Sequence, residues 1–480
     1  MEKDLNTRVK KGISWNISNK IVSQLIFVWF GIYLARLLGP EVYGLVGMVT
    51  IFSGLASILV DFGFSSSIIY FQDLNKKDLS SVFWLNLALS ILIYLIFYFC
   101  APFLADFYNE PKVTFLTRLL SLNFIIYAFS ALQNALFTKK IDFKKVIISS
   151  WIAVIISYLV AFLMAYNNYG VYSLVAQIII HSFINTGLLW VFSNWRPSFY
   201  FSFKSINPIF KYGINIAGTN LLSYLTRNTD NLLIGKFLGD ASLGIYTRSY
   251  SLMMLPITNI SQVFTKVLFP AFSEMQTDLE GLRKYYLKTV KLIALVVFPL
   301  MFGLSSIAEE FVLLLLGDAW FQAVPVIRLL AILGAFQAIL ALNGTIYNST
   351  GNANKGFKVT LILNVILIVG WSIGLFLYDL MGLVYSYVII GTLGTLPILY
   401  NALKQIQLSL VEIYHTIKYP VFGGILILLI NNSIDYFFDF KLTVRLFFKI
   451  PLSIFTYILI LYLYQKSLLI LLLSQIKNRL

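Results

Sequence analysis

A single cysteine in 480 residues, Cys100, leaves no intramolecular disulfide to form. The two histidines, His181 and His415, stand far apart in sequence and make no metal-ligand pattern, so no metal site is expected. Charge is scarce: 12% of the residues are Asp, Glu, Lys or Arg, against roughly 25% in a soluble domain. Hydrophobic residues make up 59%, and the mean hydropathy is +0.82. Those values describe an integral membrane protein. Acids are the rarer sign, 21 against 36 Lys plus Arg, for a net charge of +15. The excess of base does not point to nucleic acid, because it sits in short connections between apolar runs, where Lys and Arg report orientation in a bilayer. A cleavable leader is not expected either: Lys3, Arg8, Lys10 and Lys11 precede an apolar run of about 25 residues, too long for a signal peptide.

Counting apolar runs of membrane-spanning length predicts an all-α protein of about fourteen transmembrane helices. They fall near 13–36, 44–64, 80–104, 114–137, 146–166, 171–192, 210–235, 244–268, 287–307, 324–347, 359–378, 383–402, 419–434 and 446–464. Alternate connections carry the base, as at Lys139, Lys140, Lys144 and Lys145 or at Arg283, Lys284, Lys288 and Lys291. With both termini, that side collects about 24 basic residues against about 7 on the other, which makes it cytoplasmic and places both ends of the chain there. Lys441, Arg445 and Lys449 fall on the wrong side of this scheme. The link at 404–418 puts Ile406, Leu410, Ile413 and Ile417 on one face and predicts a helix lying on the membrane surface; the basic tail beyond the last span predicts another.

An internal repeat divides the chain. Gly12, Gly39 and Gly44 recur about two hundred residues later as Gly213, Gly239 and Gly244, with Arg36 and Lys236 ahead of the second glycine. Six spans precede the restart, so the halves have parallel topology. The expected organisation is an N-terminal lobe (1–205), a C-terminal lobe (206–403) and a terminal segment (404–480) with the amphipathic link, two further spans and the interfacial tail. Two such lobes enclose a central cavity, and rocking about it gives alternating access.

Polar residues concentrate on the spans that open each half. Asn215, Thr219, Ser223, Thr226 and Asp230 fall within an arc of roughly 80° on one helix, with Arg227 beside it. Asn16, Asn19, Lys20 and Ser23 form a similar stripe, as do Thr50, Ser53, Ser57 and Asp61, and Thr258, Gln262, Thr265 and Lys266. Isolated hydroxyls in membrane helices often only bond neighbouring helices, at about 0.6 kcal/mol each. Charges are different, since a Lys or Asp at mid-membrane costs about 2.5–3.5 kcal/mol or more. Lys20, Arg227, Lys266 and Arg248 are therefore candidates to hold a phosphate or diphosphate, with Arg supplying bidentate donors. Asp61 and Asp230 are candidates to bind Na⁺ or a proton and couple a gradient to transport. The connections expected outside the cytoplasm are mostly under about ten residues, too small to gather the acids and bases of a polymerase or ligase site.

Five stretches together, LARLLGPEVYGL (34–45), DFGFSSSIIYFQ (61–72), RNTDNLLIGKFLG (227–239), YTRSYSLMMLPITNI (246–260) and LLLGDAWFQAVPVIRLLA (314–331), resemble the bacterial lipid-linked oligosaccharide flippases. These are the exporters of O-antigen and exopolysaccharide repeat units in the multidrug/oligosaccharidyl-lipid/polysaccharide superfamily. The likeness covers about residues 8–400. It implies two six-helix lobes with two further helices, and a cavity lined by spans 1, 2, 7 and 8. It also implies a polyprenyl-diphosphate oligosaccharide as the cargo, crossing the inner membrane on an ion gradient with no other cofactor. Lys20, Arg227 and Lys266 would meet the diphosphate, Asn16, Ser57, Asn215, Thr219, Ser223 and Gln262 would line the cavity, and a polysaccharide polymerase and other assembly proteins would be partners. A lipid II or multidrug exporter of the same superfamily is the alternative within this class, and a membrane polymerase or ligase the alternative outside it.

Overall fold

A computed structural model describes residues 2–71, 73–275 and 278–477. Every regular element among them is helical. In chain order these are α1 (Glu2–Asp61), α2 (Phe64–Tyr70), α3 (Lys76–Tyr108), α4 (Lys112–Lys139), α5 (Phe143–Tyr166), α6 (Val171–Phe192), α7 (Phe203–Pro256) and α8 (Gln262–Glu274). They continue with α9 (Leu279–Ser306), α10 (Ala308–Phe311), α11 (Ala323–Leu340), α12 (Asn343–Ser349), α13 (Ala353–Leu393), α14 (Thr395–Gln405), α15 (Leu410–Phe437) and α16 (Leu442–Lys477). Helices dominate because a chain this apolar must satisfy its backbone N–H and C=O groups within each segment.

Among the described residues, ten helices are long and apolar enough to cross a membrane. The difference from about fourteen lies in three places. Ser18–Tyr70 and Asn354–Gln405 are 53 and 52 residues long; at 1.5 Å per residue each is roughly 80 Å of helix, more than two hydrocarbon thicknesses of about 30 Å. The third place is 203–274, where the two expected spans 210–235 and 244–268 fall in α7 and α8 and neither helix is among the ten; Thr219, Ser223, Thr226, Arg227 and Asp230 interrupt the apolar residues of the first, and Arg248, Thr258, Gln262 and Lys266 those of the second.

The long helices are broken where the sequence repeats. α1 leaves helical geometry at Gly39 (φ 71°, ψ 173°), just before Pro40, and α7 does so at Gly239 (φ 80°, ψ −172°). A positive φ costs glycine nothing, and Pro40 lacks the N–H that would continue the ladder. The repeated glycine is thus repeated geometry. In α13 the break falls at Tyr378 and Asp379, where the backbones of Gly374 and Gly382 close on each other: a Cβ on either would sit 2.2 or 2.0 Å from the other's carbonyl oxygen.

The chain packs as two compact units, Met1–Gly244 and Ile245–Leu480. In the first, α5 shows how the sequence sorts its faces: Ser149, Ala153, Ser157, Ala161 and Ala165, four residues apart, are buried, while Ile152, Ile155, Ile156, Leu159 and Leu163 are exposed. Small side chains let helices approach, and large apolar ones suit lipid. Bulkier cores lie where Phe64, Ile68, Val82, Phe83, Leu132 and Ile209 meet. In the second unit, Leu295, Ile427, Tyr457 and Leu461 tie α9, α15 and α16 together, with Gly424 against the Phe302 ring and Gly423 against Tyr457.

The 404–418 link is not one continuous helix. α14 ends at Gln405, the chain turns through Gln407 (φ 52°), and α15 begins at Leu410 under a capping box in which Ser409 and Glu412 bond each other's backbone N–H. Ile406 and Ile413 are buried in protein, and Arg283 Nε donates to the Ile406 carbonyl at 2.7 Å. Of the amphipathic face read from the sequence, Ile406 and Ile413 pack into protein, while Leu410 is exposed and Ile417 half-buried. The predicted tail helix is likewise continuous with the last span, since α16 runs unbroken to Lys477.

Candidate functional site

In the first unit α7 runs antiparallel against the part of α1 beyond Gly39. Close approaches pair Gly44 with Asp240, Gly54 with Tyr224 and Gly63 with Gly213, so one strand of contacts ascends as the other descends. A Cβ on Gly44 would lie 1.7 Å from the Asp240 carbonyl oxygen, and one on Gly244 would lie 1.9 Å from that of Pro40. The echoed glycines thus meet reciprocally, each against the residue that follows the other helix's break. Tyr224 Oη donates to the Ile51 carbonyl at 2.8 Å, using the space Gly54 leaves. At the far end Ser67 Oγ donates to the Ile209 carbonyl at 3.1 Å, and Phe62 stacks on Phe210 and Tyr70 on Tyr212, with centroids 4.8 and 4.6 Å apart.

That packing determines what α7 leaves uncovered. Tyr224 faces α1, and at 100° per residue the centre of the polar stripe points roughly 140° away from it. Thr219 and Ser223 are exposed accordingly, and Arg227, about 60° from Tyr224 around the helix, is exposed as well, whereas Asp230 is buried at 2% exposure, its Oδ1 accepting from the Asn231 N–H at 2.8 Å. Ser223 Oγ donates to the Thr219 carbonyl and Thr226 Oγ1 to the Leu222 carbonyl, both at 2.9 Å. Each hydroxyl has used its proton one turn back and keeps a lone pair outward. The exposed face therefore offers acceptors and one guanidinium.

The remaining predicted residues are distributed as follows. Lys20 on α1 is exposed, and so is Ser57, whose Oγ donates to the Ser53 carbonyl at 2.8 Å. Asp61 closes α1 and accepts from Ser65 Oγ at 2.5 Å across the Phe62–Gly63 turn. Asn19 holds Trp151 Nε1 at 2.8 Å and so joins α1 to α5. In the second unit Arg248 is half-buried and Gln262 exposed, with Thr265 Oγ1 donating to the Gln262 carbonyl at 2.9 Å. The side chains of Asn16, Asn215 and Lys266 lie outside the described residues. Three further cations have local partners: Arg328 meets Glu309 at 3.2 Å, Lys236 Nζ bonds the Phe107 carbonyl, and Arg118 lies over the Tyr98 ring at 4.6 Å. Among the described residues no cluster of three or more His, Cys, Asp or Glu could hold a metal.

The second unit also contains a charged cluster that the sequence reading did not assemble. Lys449 on α16 has no exposed surface, and its Nζ donates to Glu310 Oε1 at 2.5 Å and Asp435 Oδ2 at 2.7 Å. Asn431 Nδ2 donates to Ser306 Oγ at 2.8 Å and Ser453 Oγ at 2.9 Å beside it, and Arg445 pairs with Asp435 at 3.7 Å and Asp439 at 3.5 Å. This accounts for two of the three misplaced basic residues: Arg445 and Lys449 answer acids and carry no orientation signal. The signal that could have found the cluster was Asp435 and Asp439 upstream of Arg445 and Lys449. Glu310, more than a hundred residues away, had no such link.

Comparison with known proteins places this architecture. A family profile described as "Polysaccharide biosynthesis protein" matches residues 33–325. The chain is 28% identical over 313 residues to the teichuronic acid biosynthesis protein TuaB of Bacillus subtilis (strain 168), a match that covers 63% of each chain and so spans under two thirds of that relative. It is 25% identical over 417 residues, 85% of each chain, to the lipopolysaccharide biosynthesis protein WzxC of Escherichia coli (strain K12). Among solved structures, the lipid II flippase MurJ in an inward closed conformation superposes with a TM-score of 0.76 over 95% of this chain and 99% of that one, at 14% identity. An inward-facing multidrug resistance MATE family transporter gives 0.60 over 80% and 96%, at 16% identity, and the likeness to both is one of fold. With the matched profile taking in both glycine breaks and the whole α7 stripe, more than half of the sequence, the chain belongs to the polysaccharide biosynthesis protein family.

Proposed function

We propose that the chain is a flippase that moves polyprenyl-diphosphate-linked oligosaccharide repeat units across the inner membrane for surface polysaccharide assembly. The observation that carries this reading is the exposed α7 face, hydroxyl acceptors with Arg227, on a helix whose other side packs along α1. A bare hydrocarbon environment would penalise that face; a cargo with an anionic diphosphate and sugar hydroxyls rewards it. Family membership and the 85% reach of the WzxC match support the same substrate class. In this reading Arg227, Lys20, Lys266 and Arg248 receive the diphosphate, Arg in bidentate fashion. Asn16, Ser57, Asn215, Thr219, Ser223 and Gln262 line the path. Asp61 and Asp230 exchange Na⁺ or a proton against the cargo, so that the protein works as an antiporter by alternating access. It performs no covalent chemistry, keeps both termini in the cytoplasm, and hands its product to a polysaccharide polymerase.

The test is the position of the lipid-linked unit in a strain lacking the protein. Undecaprenyl-linked repeat units should accumulate on the cytoplasmic leaflet, out of reach of a membrane-impermeant sugar-oxidising label. Labelling undiminished from that of the parent strain would refute the reading. Loss of the surface polymer with cell-wall synthesis intact separates this cargo from lipid II.

A further inference from the structure

In the first unit a groove of about 450 Å³ lies between α4 and α6, walled by Ile125, Ile126 and Phe129 of the one and Phe183, Gly187 and Trp190 of the other. Gly187 opens it: no atom lies within 4 Å of where a Cβ would stand. The polar groups of the wall are already spent. Trp190 Nε1 donates to the Phe129 carbonyl at 2.8 Å, and Thr186 Oγ1 to the Ile126 carbonyl at 3.3 Å. A sugar or a peptide would find no donor here for its own polar groups and would lose its hydration on entering. The groove suits hydrocarbon. From Phe183 to Trp190 it runs about 10 Å along α6, which is within one leaflet of a hydrocarbon core about 30 Å thick.

What distinguishes this groove from an ordinary lipid-facing surface is the cation fastened at its end. Arg196 lies just beyond α6, exposed, with its guanidinium 5.4 Å from the centroid of the Trp190 ring that closes the groove. Three of its N–H donors go to carbonyls, those of Ser193 at 2.6 Å, Trp195 at 2.8 Å and Trp190 at 3.0 Å. The rest have no acceptor among the described residues. The segment that carries Arg196 is itself tied down. The Ser198 N–H donates to Ser80 Oγ at 3.0 Å, and Trp84 Nε1 donates to the Ser198 carbonyl at 2.8 Å. A held guanidinium at the membrane end of an apolar slot matches the two parts of a phospholipid, a phosphate above and a chain below. It lies on the basic side, where α4 also ends in Lys139 and Lys140.

We infer that the groove between α4 and α6 is a site for one resident anionic phospholipid, with an acyl chain against Gly187 and its phosphate on Arg196. The occupant is a bilayer phospholipid and not the cargo, because the slot ends within one leaflet and the cations proposed for the cargo's diphosphate lie on α1, α7 and α8. The inference does not use the flippase reading.

The test titrates the purified full chain in detergent with phosphatidylglycerol or phosphatidylethanolamine of identical acyl chains and counts bound lipid by native mass spectrometry. One phosphatidylglycerol should be held about fivefold more tightly than phosphatidylethanolamine, the effect of one arginine on an anionic headgroup. Arg196→Gln should bring the two lipids level, and Arg196→Lys should keep most of the difference. Gly187→Leu fills open space, so it should melt like the wild type and yet lose the tightly held lipid of either kind. A headgroup preference that survives Arg196→Gln, or lipid retention unchanged in Gly187→Leu, would overturn the site. Displacement of phosphatidylglycerol one for one by undecaprenyl phosphate would also overturn it, assigning the groove to the cargo's tail instead. None of these results alters where the lipid-linked unit accumulates in the deletion strain, so the two readings fail separately.

Discussion

Replacing Lys449 by methionine keeps most of the aliphatic stem and deletes the cation. In the wild type that cation answers Glu310 at 2.5 Å and Asp435 at 2.7 Å with no exposed surface of its own. Asp435 retains Arg445 at 3.7 Å after the change, but the equally buried Glu310 is left without a counter-charge, and its Oε2 already has no hydrogen-bond partner. Breaking a buried pair from one side costs about 3–5 kcal/mol, because the stranded charge keeps its desolvation penalty and loses its compensation. For a unit of this size, roughly 2–4 °C of melting temperature corresponds to each kcal/mol. Lys449→Met should therefore lower the Tm of the purified protein by about 6–20 °C, read as loss of the monodisperse peak of a fluorescent fusion after heating in detergent. The second arm of the cycle decides the cause. Lys449→Met with Glu310→Leu removes the stranded charge and should recover most of the loss, since apolar replacement of a buried ion pair is often neutral. A single variant that melts with the wild type, or a double variant no better than the single, would refute the reasoning.

Three further outcomes follow from the packing and the polar stripe. Gly44→Ala places a methyl 1.7 Å from the Asp240 carbonyl oxygen and should destabilise by about 1–3 kcal/mol, whereas Gly31→Ala, with open space around it, should melt like the wild type; the same heating assay compares them. Tyr224→Phe removes the donor to the Ile51 carbonyl and should cost about 0.5–1.5 kcal/mol, with no change in cargo preference. Asp230→Asn is nearly isosteric at a buried position and should cut surface polysaccharide while leaving the amount of membrane-inserted protein unchanged; normal export in that variant would reduce Asp230 to a helix contact.

The glycine echo was legible because a positive φ is a local demand: Gly39 and Gly239 could be picked out before it was known that both break a helix. The same holds for the α7 stripe, whose 3.6-residue period is a property of the chain itself. Amphipathicity at 404–418 was also visible, but not what it faces. An apolar face looks the same in sequence whether it meets lipid or protein, and only the turn at Gln407 and the capping box at Ser409 sent Ile406 and Ile413 into the second unit.

From sequence alone, then, composition and period determined that the chain lies in a membrane as helices, where it duplicates and which helix carries polar residues, since each of these is encoded within a few turns. Tertiary structure decided which of those polar residues are spent and which are offered. Lys449 reads as an orientation anomaly in sequence, whereas in the structure Glu310, distant in the chain, meets it at 2.5 Å. The physical reason is that the energy of a buried polar group depends on its partners, and partners are set by packing rather than by spacing along the chain.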